Sequence, residues 1–156
     1  MRRVPHGSGQ IVSPHRDTIS ASIPTASQLA PHTILIVDDS IDMLDMYAVG
    51  LSHAGYRPLT ATSAEAAVLT SKIDPVSAVV TDLHLRGTNG WALIAALKAD
   101  PLTRSIPIVV LTGWPDASVA ATAHAVGCAT VLTKPCLPDE LADVLRQLLS
   151  ATIAAA

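Results

Sequence analysis

The chain has 156 residues, of which 49% are hydrophobic, 15% are charged and 3% are aromatic, with no Phe. The apolar content excludes a wholly disordered chain, and the length suits one domain with a short appendage. A net charge of −3 and the scarcity of aromatic residues exclude a basic, base-stacking surface for nucleic acid.

Residues 1–31 are predicted to be a flexible N-terminal extension. The segment contains four prolines, many Ser and Thr residues, and no sustained apolar periodicity. Such a segment cannot bury enough apolar surface to offset the entropy lost on ordering. A docking segment for a partner is the alternative, and a plain flexible arm is the simpler interpretation.

From Thr33 onward, short β-branched runs alternate with segments of helical periodicity. The predicted strands are Thr33–Val37, Arg57–Ala61, Ala78–Thr81, Pro107–Leu111 and Ala129–Leu132. The predicted helices run from Ser40 to Gly55, from Ser63 to about Ser71, through the stripe of Trp91, Ile94 and Leu97, over Asp116–Val126, and from Pro138 to about residue 150. Alternating strands and helices form a parallel sheet covered on both faces. We therefore predict a doubly wound α/β domain over residues 32–150, followed by a frayed tail at 151–156.

Three further features indicate the compartment. The longest uncharged stretches, Thr18–Val37 and Ala117–Thr133, are too polar to supply the roughly 20 apolar residues of a membrane span. The basic start is followed by a proline-containing stretch and not by an apolar signal segment. Cys128 and Cys136 flank a predicted strand and would lie too far apart for a disulfide, so we expect reduced thiols. A cytosolic protein without a membrane contact is predicted.

Polar side chains follow four of the predicted strands. Asp38 and Asp39 follow the first strand, Asp82 the third, Thr112 the fourth and Lys134 the fifth. The ligand site of an open α/β sheet lies at this edge. Clustered carboxylates call for a cation, and oxygen donors suit Mg²⁺ completed by a phosphate. Because Lys and Thr suit a phosphoryl group and a carboxylate can accept one, we predict Mg²⁺-dependent phosphoryl transfer onto an Asp.

The same residues also have plainer interpretations. Asp38 and Asp39 could be acidic residues that complement the dipole of the following helix. Thr112 could be an ordinary β-branched strand residue, and Lys134 could be a surface lysine. The convergence of all these positions on strand ends favours a shared site.

At these positions the sequence resembles the receiver domains of two-component response regulators. The matching motifs are Ile34-Leu35-Ile36-Val37-Asp38-Asp39, Val79-Val80-Thr81-Asp82-Leu83, Val109-Val110-Leu111-Thr112-Gly113 and Leu132-Thr133-Lys134-Pro135. The spacings of 30 residues from Asp82 to Thr112 and 22 from Thr112 to Lys134 also match. The resemblance covers about residues 33–149. It implies a flavodoxin-like, CheY-like fold with five parallel strands in the order 2-1-3-4-5.

The resemblance implies a role for each acidic residue. Asp82 would be the phosphate acceptor. Asp39 and Asp82 would bind Mg²⁺ through their carboxylates, and Asp38 would bind it largely through water. The backbone carbonyl of His84 would be a further ligand. Such a protein catalyses only its own phosphorylation and dephosphorylation, so we do not expect an enzyme that acts on other substrates.

The resemblance also implies roles for the basic and hydroxyl residues. Lys134 would pair with the phosphoryl oxygens, and Thr112 would hydrogen-bond to the phosphoryl group and move inward on activation. The Lys134–Pro135 peptide would be cis, and Gly113 would leave room for the phosphate. The phosphodonor would be a histidine of a sensor kinase or of a phosphotransfer protein in a phosphorelay. The sequence does not identify the downstream protein target.

Several positions depart from the family pattern. Val131 and Cys136 stand where many receivers have aromatic residues, and Arg86 replaces a frequent Pro. These departures leave the phosphorylation chemistry intact and concern the usual route from phosphate to output surface. His84 and Trp114 are large residues for positions that flank the phosphoryl group. We hypothesise that Trp114 shields the acyl phosphate; the alternative is an indole that faces solvent.

Only about seven residues follow the last predicted helix, so we expect a stand-alone receiver. Its output would be a protein contact or onward phosphotransfer through the fourth helix, fifth strand and last helix. Two other function classes stay open. A receiver fold that only binds partners would not need Asp82, Thr112 and Lys134. A Mg²⁺ phosphatase that forms an aspartyl phosphate would need a second acid two residues after its nucleophile, where this chain has an adjacent pair and then Ser40.

Overall fold

The computed structural model of this chain describes residues 31–154. In this range the strands are β1 Thr33–Val37, β2 Arg57–Ala61, β3 Ala78–Thr81, β4 His84–Leu85, β5 Thr88–Asn89, β6 Ile108–Thr112 and β7 Thr130–Thr133. The helices are α1 Ile41–His53, α2 Ala64–Ile73, α3 Gly90–Ala99, α4 Ala117–Ala125 and α5 Pro138–Ala154. The flexible extension predicted for residues 1–31 lies, except for Pro31, outside the described residues, as do residues 155–156.

Five strands form one parallel sheet in the order β2-β1-β3-β6-β7. Counted along the chain without the two short strands, this is the predicted order 2-1-3-4-5, so the doubly wound α/β fold is confirmed. Val37 of β1 is level with Ala61 of β2 and with Thr81 of β3. Thr112 of β6 is level with Thr133 of β7. This register brings the carboxyl ends of the strands together at one edge of the sheet.

The inner strands are buried along their whole length because helices cover both faces of the sheet. Every residue of β1, β3 and β6 is buried. On one face, α1 and α5 contribute Leu51 and Leu145 to the core. On the other face, α2 and α3 contribute Ala67 and Leu93. Full burial of a Leu side chain stabilises the fold by about 1.5–3 kcal/mol, so the sheet is a firm support for the residues at its edge.

Side-chain caps set the starts of four helices. Ser40, Ser63, Asn89 and Asp116 each accept a hydrogen bond from the backbone N–H three residues further on. Such caps satisfy donors that a helix leaves free at its first turn. After α1, Gly55 adopts a φ of 94°, a conformation that glycine reaches without strain. The predicted bounds of these helices are therefore close to those observed.

Besides shifts of one or two residues at the ends of several elements, the structure shows three features that need comment. A hairpin of β4 and β5, which turns at Gly87 with a φ of 77°, precedes α3 where no strand is predicted. β6 begins only after Pro107, because proline has no N–H to donate to the ladder. α5 continues to Ala154, so residues 151–154 are helical where a frayed tail is predicted.

The two edges of the sheet and α4 are less covered than the centre. β2 is one edge, and its Pro58 is level with Ile34 of β1. β7 is the other edge, and its residues are half-buried or exposed. In α4, Ala123 is the buried residue. These segments therefore depend on fewer core contacts than the inner strands.

The structure also bears on the membrane and thiol predictions. Among the helices of residues 31–154, none is long and apolar enough to cross a bilayer. Cys128 and Cys136 are both free, as predicted. Burial raises the pKa of both thiols, so they carry little thiolate at neutral pH.

Candidate functional site

Asp38 lies directly after β1, and only 4% of its surface is exposed. Its backbone N–H donates to the carbonyl of Ala61 at 3.2 Å. One carboxylate oxygen, Oδ1, accepts from the backbone N–H of Ser40 at 2.9 Å. The other, Oδ2, accepts from Nζ of Lys134 at 2.8 Å. Both oxygens are therefore hydrogen-bonded, as a buried carboxylate requires.

Asp82 lies at the end of β3 and reaches the same ammonium as Asp38. Its backbone N–H donates to the carbonyl of Val37 at 3.0 Å, which ties it to the end of β1. Its Oδ1 accepts from the backbone N–H of His84 at 3.2 Å, and its Oδ2 accepts from Nζ of Lys134 at 3.0 Å. The side chain is 12% exposed. The carboxylate is thus held in place and still accessible from solvent.

The backbone at Asp82 is fixed by the close approach of α3. The N–H of Gly90 donates to the carbonyl of Leu83 at 2.8 Å. A Cβ atom at Gly90 would lie 2.7 Å from Cα of Leu83 and would also collide with the carbonyl oxygen of Asp82. These are backbone atoms that cannot rotate away, so only glycine fits. Asn89-Gly90 has the pattern of an ordinary turn, so the sequence alone does not predict this role; a glycine directly after a helix cap is the available signal.

Lys134 follows β7, and its ammonium joins the two carboxylates. Its backbone N–H donates to the carbonyl of Thr112 at 2.8 Å, and the Lys134–Pro135 peptide is cis. Burial alone would lower the pKa of Lys134, but the hydrogen bonds and charges of Asp38 and Asp82 outweigh burial and raise it. The ammonium therefore remains charged at neutral pH and partly balances the negative charges of Asp38 and Asp82.

Asp39 follows Asp38 directly in the chain and is more exposed, with 29% of its side chain accessible to solvent. Nε of Arg86 lies 3.7 Å from its Oδ2, and the Arg86 side chain is 90% exposed. Such exposed ion pairs contribute about 0–1 kcal/mol. Arg86 therefore leaves the Asp39 carboxylate available to a cation from solvent.

Thr112 ends β6 and is fully buried. Its Oγ1 accepts from the backbone N–H of Trp114 at 3.2 Å. A Cβ atom at Gly113 would meet nothing within 4 Å, so the loop leaves open space after the hydroxyl. The indole of Trp114 is 77% exposed. This exposure favours the solvent-facing alternative over a shield for the acyl phosphate.

The donors at this edge fit Mg²⁺. Within the described part of the chain, no three His, Cys, Asp or Glu side chains form a group that could hold a metal ion by themselves. Mg²⁺ does not need such a cage, because it keeps several waters and uses one or two carboxylates with a phosphate. The carboxylates of Asp38, Asp39 and Asp82 and the carbonyl of His84 are all oxygen donors. This donor chemistry suits Mg²⁺ better than a softer metal.

The structure brings the predicted residues to one edge with different degrees of contact. Lys134 bonds directly to Asp38 and Asp82, and its backbone bonds to Thr112. His84 contacts Asp82 through its backbone N–H, while Nδ1 of its exposed ring lies 3.9 Å from the carboxylate. Tyr47 is not predicted from the sequence; its hydroxyl donates a hydrogen bond to a backbone carbonyl 89 residues away. No local sequence signal marks such a distant partner.

Comparison with known proteins decides the family. The family model described as the response regulator receiver domain matches residues 34–146. The chain belongs to the response regulator receiver family. It is therefore a receiver domain of the kind used in two-component signal transduction.

Curated relatives of this receiver domain are response regulators. It is 38% identical over 123 residues to the phosphate regulon transcriptional regulatory protein PhoB of Pseudomonas aeruginosa, covering 77% of this chain and 52% of that protein. It is 33% identical over 118 residues to the two-component response regulator PprB of the same organism, covering 74% of this chain and 43% of that protein. The chain spans about half the length of these curated relatives.

Solved structures of receivers have the same fold. A putative response regulator from Chloroflexus aurantiacus is 33% identical with a TM-score of 0.72, covering 77% of this chain and 98% of that chain. The chemotaxis protein CheY4 of Vibrio cholerae is 26% identical with a TM-score of 0.72, covering 76% and 98%. The predicted CheY-like fold is thereby confirmed.

Proposed function

We propose that this receiver domain accepts a phosphoryl group on Asp82, with Mg²⁺, from a phosphohistidine of a sensor kinase or phosphotransfer protein. The observation that supports this most strongly is the Lys134 ammonium, which lies 2.8 Å from Asp38 and 3.0 Å from Asp82. One cation serves two carboxylates, of which Asp82 is the more accessible. A phosphoryl group arriving at Asp82 would therefore meet a positive charge that is already in position.

The proposed reaction is a displacement at phosphorus. A carboxylate oxygen of Asp82 forms a bond to phosphorus while the P–N bond to the donor imidazole breaks. The electron pair of that bond returns to the ring nitrogen, and the ring, protonated on its other nitrogen, leaves as neutral imidazole. Later attack of water on phosphorus breaks the bond to Asp82 and releases inorganic phosphate.

The residues around Asp82 have separate tasks in this proposal. Lys134 exchanges its bond to Asp82 for one to a phosphoryl oxygen and keeps its bond to Asp38. The Thr112 hydroxyl donates a hydrogen bond to a second phosphoryl oxygen. Mg²⁺, when held by Asp39, Asp82 and the carbonyl of His84, with Asp38 acting through water, supplies positive charge that offsets the negative charge of the phosphoryl group.

The proposed output is a protein contact or onward phosphotransfer at the face formed by α4, β7 and α5. Because Ala123 is the buried residue of α4, this helix can shift at a small cost in core burial. We propose a cytosolic location, because free thiols suit a reducing compartment. We propose no direct contact of this domain with nucleic acid or membrane, since the chain has a net charge of −3.

The test is labelling by acetyl phosphate in the presence of Mg²⁺, followed by intact mass. Wild type should gain one phosphoryl group, and Asp82→Asn should gain none. Asp45→Asn is the matched control, because Asp45 is an exposed acid of α1 outside the site, and it should label like wild type. Steady phosphate release from many esters would indicate a phosphatase instead. A folded wild type that takes no label would favour a binding module and overturn the proposal.

A further inference from the structure

Tyr47 is a buried residue of α1 whose hydroxyl bonds to the loop that carries Lys134. Only 1% of its surface is exposed, and its ring packs in the core with Leu44 and Leu51 of the same helix. The hydroxyl donates to the backbone carbonyl of Cys136 at 2.8 Å. Burial raises the pKa of Tyr47 to about 12, so the hydroxyl keeps its proton and remains a donor at neutral pH.

The loop of residues 134–137 between β7 and α5 has few other anchors. Pro135 has no N–H to donate. At one end, the N–H of Lys134 donates to Thr112 of β6 at 2.8 Å. At the other end, the N–H of Leu137 donates to Oε2 of Glu140 in α5 at 2.9 Å. The Tyr47 hydroxyl is the contact from α1 between these two. The Cys136 side chain is also buried in the core, and the carbonyl of Leu137 accepts from the N–H of Leu141 in α5 at 3.1 Å. Three elements, β6, α1 and α5, therefore hold the loop.

Helix α1 comes very close to the start of α5, directly after this loop. A Cβ atom at Gly50, three residues after Tyr47, would lie 2.9 Å from Cγ of Pro138 and nearer still to its Cβ. The absence of a side chain at Gly50 therefore allows α1 to pack against the first residue of α5. This approach brings the Tyr47 hydroxyl within hydrogen-bonding distance of the loop.

The same helix also holds the partner of Lys134. Ser40 is the N-cap of α1, and its backbone N–H donates to Oδ1 of Asp38 at 2.9 Å. Lys134 bonds to the other oxygen of that carboxylate at 2.8 Å. Helix α1 thus fixes Asp38 at its start and the Lys134 loop near its middle, which sets the separation of the two charges.

We propose that Tyr47 is a positioning residue for Lys134. Its hydrogen bond to Cys136 fixes the point from which the ammonium reaches Asp82. Loss of the hydroxyl removes the only hydrogen bond from α1 to the backbone at the centre of the loop among the described residues, while the ring stays in the core. The inference rests on the proposed phosphoryl transfer, because the position of the Lys134 ammonium would affect the rate of that reaction.

Tyr56 provides a matched control. Its hydroxyl also donates to a backbone carbonyl, that of Ala142 in α5, at 3.3 Å. This carbonyl lies within the helix, beyond the loop that carries Lys134. Removing either hydroxyl deletes one hydrogen bond from a tyrosine to a backbone carbonyl in the C-terminal part of the domain. A merely structural role for Tyr47 would make the two Phe variants behave alike.

The first experiment compares phosphorylation rates at saturating Mg²⁺ with acetyl phosphate as donor. Tyr47→Phe should lower the maximal labelling rate by about tenfold, because small displacements of a catalytic group are costly. Tyr56→Phe should label like wild type. In a Lys134→Ala background, where labelling is already slow, Tyr47→Phe should have little further effect, because its action passes through Lys134. An equal slowing in both backgrounds, or equal slowing by Tyr56→Phe, would overturn the inference.

A second measurement does not depend on phosphorylation. Acetic anhydride acylates lysines that are free of their partners, and peptide mass spectrometry reports each site. Lys134 should react several-fold faster in Tyr47→Phe than in wild type or Tyr56→Phe, while Lys98, on α3, should react equally in all three. Should wild type take no phosphoryl group, the proposed function fails by itself; faster acylation of Lys134 would still support its positioning by Tyr47. Unchanged acylation of Lys134 in a folded Tyr47→Phe protein would contradict that positioning.

Discussion

Replacing Gly90 by alanine would push a methyl group into the backbone beside Asp82. The added Cβ would lie 2.7 Å from Cα of Leu83, whereas ordinary contact begins at 3.4 Å. The start of α3 or the backbone at Asp82 and Leu83 must therefore move by at least about 0.7 Å, and by more at the carbonyl oxygen of Asp82. Such overpacking typically costs about 1–3 kcal/mol. We expect Gly90→Ala to lower the free energy of unfolding by roughly 2 kcal/mol.

The same displacement should also slow phosphorylation, because the backbone that moves carries the Asp82 carboxylate. A misplacement near 1 Å can cost about 100-fold in rate, so labelling by acetyl phosphate should slow by at least about tenfold. Unfolding in urea gives the stability, and intact mass gives the labelling rate under conditions where each variant is folded. Both measurements compare the variant with wild type.

Gly113→Ala is the matched control for the stability measurement, since it makes the same substitution one residue after Thr112. Its Cβ atom would meet nothing within 4 Å. It should leave stability unchanged or raise it by about 0.4–1 kcal/mol, because alanine restricts the unfolded chain. A Gly90→Ala protein with wild-type stability and labelling rate would refute the close-packing argument. An equal loss of stability at the two glycines would refute it as well.

Four further predictions follow from the contacts at this edge and in the core. Lys134→Ala should destabilise the domain by about 2 kcal/mol in metal-free buffer, because buried Asp38 loses its cation. Added Mg²⁺ should restore part of the lost stability, and an equal loss with and without Mg²⁺ would contradict the charge argument. Asn89→Ala should lower the free energy of unfolding in urea by about 1 kcal/mol through loss of the α3 cap, and Asn89→Ser should retain most of the wild-type stability. Trp114→Ala should leave the half-life of the aspartyl phosphate essentially unchanged, because the indole is 77% exposed; a clearly shorter half-life would restore the shielding hypothesis. The folded-state pKa of Tyr47, raised to about 12, means that the folded protein holds this proton more tightly. Its stability relative to Tyr47→Phe should therefore fall by about 1.4 kcal/mol between pH 8 and pH 11.

Much of the fold follows from local sequence patterns. The strands Thr33–Val37 and Ala78–Thr81 are continuous apolar and β-branched runs, and such runs form strands buried on both faces. Ser40 and Ser63 precede helical periodicity and act as caps, as their side chains predict. Because parallel strands share one carboxyl edge, the positions of Asp82 and Lys134 after strands are enough to predict that they meet.

Other features depend on contacts that no local pattern encodes. The β4–β5 hairpin consists of two-residue strands, which are too short to show an alternation. The constraint on Gly90 comes from backbone atoms of another segment, so the residue looks like any turn glycine. The bond from Tyr47 to Cys136 joins α1 to a loop near the end of the domain. The double contact of Lys134 depends on side-chain geometry that a motif does not specify.

Pro58 has a consequence for how copies of this domain can join. The backbone N–H of Arg57 points inward and donates to His32 at 2.9 Å, so the ring nitrogen of Pro58 faces outward. The outer edge of β2 therefore lacks one backbone N–H donor that an added strand would need. The opposite margin, β7 at Thr130–Thr133, has no proline. Joining two sheets into a continuous ladder is therefore less favourable at β2 than at β7, where the added strand would compete directly with the proposed signalling contact.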